Sequence, residues 1–337
     1  MDRSGHAIIG VVGTAKNTGK TTTLSFLLVQ AIRRNIPVGI TSIGYDGEDI
    51  DTVTSLPKPR MTLEPGMLVT TAERCLSLAT AGYDILSRTG IQTALGEILL
   101  LRITRQGLVV TAGPHKRSLI DPVCDALRHH GAMMIFIDGA LNRIAPMGAA
   151  DRIIFTTGAA RNTDPALLAA EMSSIQQMLA LPRSTQSKAD RECDTLLDAD
   201  DVREVFTTLP AKKMQLKIRR LVSLSALRAI EGVMESRTAP LELLMPDPMV
   251  LLLAGEPVQT NVVLQKLRAH LCNITFCHAP VLAAITVNPF FPLLELFAYS
   301  TSYIDKHRLL SAMKQAVSVP VYNVKEAGAE RLFDQLM

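Results

Sequence analysis

The stretch His6-Ala-Ile-Ile-Gly-Val-Val12, Gly13-Thr-Ala-Lys-Asn-Thr-Gly19-Lys20-Thr21, Thr22-Thr-Leu-Ser-Phe-Leu-Leu-Val-Gln-Ala-Ile-Arg33 decides the fold. Its middle part fits G-x-x-x-x-G-K-[ST], with an apolar run long enough for one buried strand before it and apolar residues at helical spacing after it. A glycine-bearing turn between strand and helix points successive backbone N–H groups inward and adds the positive end of the helix. The pattern therefore predicts a site for the phosphates of a nucleoside triphosphate, with ATP and Mg²⁺ as the expected ligands.

Roles follow from the chemistry of each position. Gly13, Thr14, Lys16, Asn17, Thr18, Gly19, Lys20, Thr21 and Thr22 are expected to wrap the nucleotide. Lys20 reaches the β- and γ-phosphates, and the Thr21 hydroxyl is an oxygen ligand for Mg²⁺. Lys16 is a second cation in the loop, either a catalytic bridge to the phosphates or a solvated side chain.

Working outward, strand-like runs recur at 8–12, 37–43, 107–112, 132–138 and 151–157, separated by helix-like segments at 22–34, 71–81, 90–102, 118–130 and 164–181. The runs are continuously apolar, as expected of a parallel sheet buried on both faces. The fold class is thus read as α/β with a mostly parallel central sheet. Residues 1–182 form the nucleotide-binding core in this reading, and 183–220, rich in charge, form an insertion or hinge. Residues 221–337 either complete the sheet or make a small second α/β unit, with helices near 223–237 and 260–271 and strands at 249–253, 281–287 and 319–324.

Composition bounds the function. Lys and Arg number 35 against 32 Asp and Glu, without the basic excess of a dedicated nucleic-acid binder. Apolar runs fall short of a membrane span, and the N-terminal residues lack a leader pattern. A cytoplasmic protein with neither nucleic acid nor membrane as partner is expected. The cysteines at 75, 124, 193, 272 and 277 are scattered and odd in number, which suits buried thiols rather than a disulfide framework. Cys272, Cys277 and His278 are close enough in sequence to raise a metal site, but no second paired cluster accompanies them.

Ligands in an open parallel sheet bind at the carboxyl ends of strands, so polar residues just past each strand matter. After 37–43 comes Tyr45-Asp46-Gly-Glu48-Asp49-Ile-Asp51, followed by Lys58-Pro-Arg60. Asp46 first and Glu48 second are candidate Mg²⁺ carboxylates in a loop able to sense the γ-phosphate. Asp138 ends Met133-Met-Ile-Phe-Ile137 and is expected to hold a Mg²⁺-bound water or polarise the attacking water. Arg143 follows, either turned to the phosphates or to solvent. His115, Lys116 and Arg117 stand before a helix where a second substrate or partner can bind, and Thr156-Thr-Gly-Ala159 can line the nucleotide. Asn288, in Val-Asn-Pro289, is a candidate contact to the base.

The loop resembles those of the SIMIBI class of P-loop NTPases and is similar to that of the molybdopterin-guanine dinucleotide adaptor. Thr41-Ser-Ile-Gly-Tyr-Asp-Gly-Glu-Asp49, Lys58-Pro-Arg60, Phe136-Ile-Asp-Gly-Ala-Leu-Asn-Arg143, Thr156-Thr-Gly-Ala159 and Ile285-Thr-Val-Asn-Pro289 resemble the ATPase subunit of the reactivase for lysine 5,6-aminomutase. The resemblance implies a three-layer P-loop sandwich and an ATPase that drives exchange of damaged cofactor from an adenosylcobalamin-dependent aminomutase. Its partners would be that aminomutase and a second reactivase subunit similar to MutS proteins, with a homodimer left open. Two other classes compete: a P-loop kinase or ATP-dependent ligase holding an acceptor with His115, Lys116 and Arg117, and a nucleotide-binding scaffold without turnover.

Overall fold

A computed structural model describes residues 7–46, 61–185, 189–295 and 298–337, with Tyr45, Asp46, Glu295 and Ala298 described by backbone alone. Met1–Leu168 together with Leu282–Met337 form one compact unit, and Ala169–Val281 form a second.

In the first unit β1 (Ala7–Gly13) runs into α1 (Lys20–Arg33). β2 (Val38–Ser42), β3 (Tyr45–Asp46), β4 (Thr62–Leu63) and β5 (Leu68–Ala72) follow, then the hairpin of β6 (Gly82–Thr93) and β7 (Gly96–Arg105). After the short β8 (Gly107–Leu108) and β9 (Thr111–Ala112) come α2 (Arg117–His129), β10 (Met134–Ala140) and β11 (Arg152–Gly158). The helix α3 (Pro165–Leu179) leads on to residues of the second unit, which contains β12 (Arg191–Leu196), α4 (Ala199–Thr207), β13 (Met214–Val222), α5 (Leu224–Ser236), β14 (Leu241–Met245), α6 (Met249–Ala254), α7 (Pro257–Ala269) and β15 (Cys272–Phe276). The chain then re-enters the first unit with β16 (Val281–Asn288), the ribbon β17 (Phe290–Glu295) and β18 (Ala298–Tyr303), α8 (Lys306–Ala316), β19 (Val321–Tyr322) and α9 (Arg331–Asp334).

Among the described residues the first unit holds a 9-stranded sheet in the order β19-β16-β11-β1-β10-β2-β5-β7-β6. β11, β1, β10, β2 and β5 are parallel neighbours, as are β16 and β19, while β5, β7 and β6 run antiparallel. The chain is therefore α/β with a large, mostly parallel sheet. Helices cover both faces. Ile9, Val11, Val38, Ile40, Met134 and Phe136 cluster with Leu24, Leu27 and Leu28 of α1. One residue along, on the opposite face, the Gly39 Cα looks onto Leu127 of α2. Ile8, Ile9, Val11 and Val12 are all fully buried, which is why β1 reads as an unbroken apolar run.

Several elements differ from the sequence expectation. Residues 71–81 are not an α-helix: Thr71 and Ala72 finish β5, and Glu73–Leu78 form a 3₁₀ helix. Residues 90–102 are the hairpin rather than a helix, because Ile98, Leu99, Leu100 and Leu101, all buried, make a continuous apolar run that suits a covered strand as well as a buried helix. The predicted strand at 107–112 splits into β8 and β9, which pair with β4 and β3 outside the central sheet. The predicted strand at 249–253 is α6, whose start is fixed by Asp247 accepting from the Met249 N–H at 2.9 Å.

The second unit is a four-stranded parallel sheet in sequential order, β12-β13-β14-β15. Leu216, Ile218, Leu243, Met245, Ile274 and Phe276 are buried on one face. The other face carries Gln215, Lys217, Arg219, Glu242, Asn273 and Thr275, where Gln215 Nε2 donates to Glu242 at 2.9 Å and Lys217 pairs with Glu192 at 3.1 Å. Residues 183–220, read as an insertion or hinge, supply β12, α4 and β13 of a unit inserted in the sequence between the two parts of the first. Residues 221–337 do not act as one piece, since those up to Val281 belong to the second unit and those after it to the first sheet.

Candidate functional site

β1 delivers Gly13 to the carboxyl edge of the central sheet, and the 14–19 loop turns the chain into α1. The turn is made in left-handed backbone: Asn17 has φ 63° and Gly19 φ 92°. Asn tolerates that region and Gly suits it, so the residue types at 17 and 19 are those the turn requires. Gly19 caps α1 without a side chain, which leaves the N–H groups of the first turn unclaimed by a cap.

The loop is braced from β11. Thr14 N–H donates to the Thr156 carbonyl at 3.0 Å, and Thr14 Oγ1 to Thr157 Oγ1 at 3.0 Å. Thr18 Oγ1 donates to the Ala15 carbonyl at 2.9 Å and lies 3.2 Å from Thr156 Oγ1. Thr14 and Thr18 are buried. On the other flank Asn288 Nδ2 donates to the Asn17 carbonyl at 2.8 Å, and the Asn288 carbonyl accepts from Ala159 N–H at 3.0 Å. Asn288, expected at the base, is therefore placed against the loop itself.

Lys20, the first residue of α1, extends to Asp138 at the tip of β10, with Nζ 3.1 Å from Oδ1 and side-chain exposures of 15% and 9%. The two residues that the sequence put forward for phosphate and metal chemistry thus meet in a largely buried ion pair. Thr21 and Thr22 lie half-buried in the first turn of α1, and Lys16 is exposed. Thr21 and Asp138 offer hard oxygen donors of the kind Mg²⁺ takes. Among the described residues no three His, Cys, Asp or Glu side chains gather into a metal cage. Asp46 is placed by its backbone, paired with Thr111, while Glu48, Asp49, Asp51, Lys58 and Arg60 lie outside the described residues.

A second group of side chains collects one strand further along. Gly44, with φ 75°, stands where a Cβ would meet the His115 ring, with Nδ1 at 2.9 Å, and Arg143 Nη1 at 3.0 Å. Arg117, in contrast, donates to the Gly148 carbonyl at 3.1 Å and serves the fold. A narrow cleft beside the loop is lined by Thr18, Gly19, Thr22, Asn288, Asn323 and Lys325. Asn323 and Lys325 were missed in the sequence, although they lie one and three residues past the last strand, where the rule of carboxyl ends points.

The thiols stay apart from this chemistry. Burial pushes the Cys124 and Cys272 thiols up to about 12 each, and Cys277 is exposed. Among the described residues no helix is long and apolar enough to cross a membrane. Compared with protein-family models, the sequence matches none, and no curated protein matches it either.

Proposed function

We propose that the chain binds and hydrolyses ATP at the 14–21 loop and uses the cycle to act on a partner protein. The observation that carries this reading is the Lys20–Asp138 pair at 3.1 Å, set at the start of α1 directly behind a left-handed loop. A phosphate chain needs N–H groups turned toward it, a helix N-terminus and a cation; the lysine at the start of α1, behind a turn with two left-handed residues, supports that reading. Asp138 holds Lys20 until the phosphates compete for it. Thr21 and Asp138 would hold Mg²⁺, with Asp46 and Glu48 as further candidate carboxylates, and the ion would neutralise charge on the phosphates.

The partner comes from the sequence resemblance: a MutS-like reactivase subunit and an adenosylcobalamin-dependent aminomutase whose damaged cofactor is exchanged. The test is Mg-ATP-dependent recovery of an inactivated aminomutase by the purified chain with its second subunit. Recovery that is lost in Asp138→Asn, with hydrolysis slowed on the order of a hundredfold, supports the reading. Recovery without ATP, or hydrolysis in Asp138→Asn within a few-fold of wild type, contradicts it. The His115 and Arg143 groups beside Gly44 favour a second reading, in which an acceptor receives the phosphoryl group from ATP as in a kinase or ligase; acceptor-dependent release of ADP separates the two.

A further inference from the structure

Two basic side chains from different loops are brought to one point. His115 lies three residues past β9, Arg143 five residues past Asp138, and Gly44 two residues past β2. His115 Nδ1 and Arg143 Nη1 are each within 3.0 Å of the position a Cβ on Gly44 would take. They are therefore no more than about 6 Å apart, the separation at which two N–H donors at charge-assisted distance can grip a single oxyanion. A carbon of the His115 ring lies nearest of all to that position, so any side chain at 44 would collide with the ring, and the left-handed φ of 75° independently calls for glycine.

The frame around the point is fixed. The Gly44 carbonyl accepts from Gly113 N–H at 3.0 Å and Ser42 Oγ at 2.7 Å. Ile43 N–H donates to the Asp138 carbonyl at 2.9 Å. Thr70 Oγ1 donates to the Ala112 carbonyl at 2.7 Å and lies 2.7 Å from the Thr41 hydroxyl. The carboxyl ends of β2, β9 and β10 are thereby tied together, so the two donors are held by hydrogen-bonded backbone rather than by a wandering loop, a preorganisation that lowers the cost of binding. His115 is exposed, while Gly44 beneath it is buried. β2 adjoins β10, the strand of Asp138, which pairs with Lys20.

We propose that His115 and Arg143 form a subsite for the oxyanion of a second ligand, a small molecule bearing a carboxylate or a phosphate, beside the nucleotide loop. The subsite deepens the nucleotide reading by placing a second anion next to the γ-phosphate, but its own anion binding does not depend on that reading. Lys116 and Arg117 add positive charge nearby at the start of α2, which carries no side-chain cap.

The test uses the full chain carrying Lys20→Ala, so that the loop no longer competes, with the His115 ring resonance followed by NMR as inorganic phosphate or succinate is added in separate titrations. A saturable shift with one or both probes, weakened at least tenfold by Arg143→Gln, is expected. A response to phosphate alone assigns the ligand a phosphoryl group, and a response to succinate alone a carboxylate. No shift with either probe, or shifts unchanged by Arg143→Gln, overturns the subsite. The same titrations on the wild-type chain saturated with Mg-ADP keep the result independent of how Lys20→Ala folds. Nucleotide binding by the wild type is measured separately, so loss of one reading leaves the other standing.

Discussion

The Lys20–Asp138 pair is the interaction on which the site depends, and its energy can be worked out. At 3.1 Å two unit charges attract by about 5 kcal/mol at an effective dielectric constant of ~20. Desolvation of both groups offsets part of this, and each is at least 85% buried by its side-chain exposure of 15% or 9%. A coupling of about 2 kcal/mol is therefore expected between the positions. The perturbation is a double-mutant cycle of Lys20→Met and Asp138→Asn, which remove charge with little change in shape. Each single change should cost more than the pair together, because each leaves one largely buried charge without its partner. The chain has no tryptophan and two compact units, so a global fluorescence melt would be both weak and not two-state. Hydrogen exchange of β1 and β10 amides, read without nucleotide, measures the unit that contains the pair. A coupling below about 0.5 kcal/mol would refute the reasoning, since it would mean that the two charges do not meet in the folded chain.

Thr21→Ala removes a hydroxyl suited to Mg²⁺ but no charge, so its loss of nucleotide affinity is expected to recover at raised Mg²⁺ more than that of Lys20→Ala; equal responses in a calorimetric series would remove Thr21 from the metal. Asn288→Ala deletes the 2.8 Å bond to the Asn17 carbonyl, at about 1 kcal/mol, and is expected to weaken nucleotide binding several-fold while raising exchange of the 14–19 amides; an unchanged loop would show that Asn288 does not brace it. Burial holds the Cys124 and Cys272 thiols neutral up to about pH 12 against an ordinary 9.0. The unfolded chain releases those protons first as pH rises, so stability should fall above about pH 9. Near pH 8 alkylation followed by mass spectrometry should label the exposed Cys277 before either of them.

How much of this was legible in the sequence depends on how each element is covered. β1, β2, β10 and β11 are buried on both faces, so their apolar runs announced the strands and the carboxyl edge at which the candidate site residues lie. The sheet of the second unit carries polar side chains on one face. Gln215, Lys217 and Arg219 alternate with Leu216 and Ile218, and the resulting charge made 183–220 resemble a hinge. The β6–β7 hairpin was obscured for the opposite reason, since Ile98 to Leu101 have no period at all. At the site, Lys20 and the loop residues were readable because one short motif specifies them, and Asp138 because it ends an apolar strand. The meeting of His115 with Arg143 was not, because three loops must close on Gly44 before those residues become neighbours. Asn288 was found by its place after a strand, but its partner, the Asn17 carbonyl, is backbone and leaves no mark in the sequence.

The most direct test of nucleotide binding at the 14–21 loop is a calorimetric titration of the wild-type chain and of Lys20→Ala with a non-hydrolysable Mg-ATP analogue. The expected result is saturable binding at one site per chain in the wild type and a loss of at least tenfold in affinity in Lys20→Ala, with exchange of the β1 and β10 amides still protected. Equal affinity in the two proteins, or no heat of binding in the wild type, would contradict the assignment.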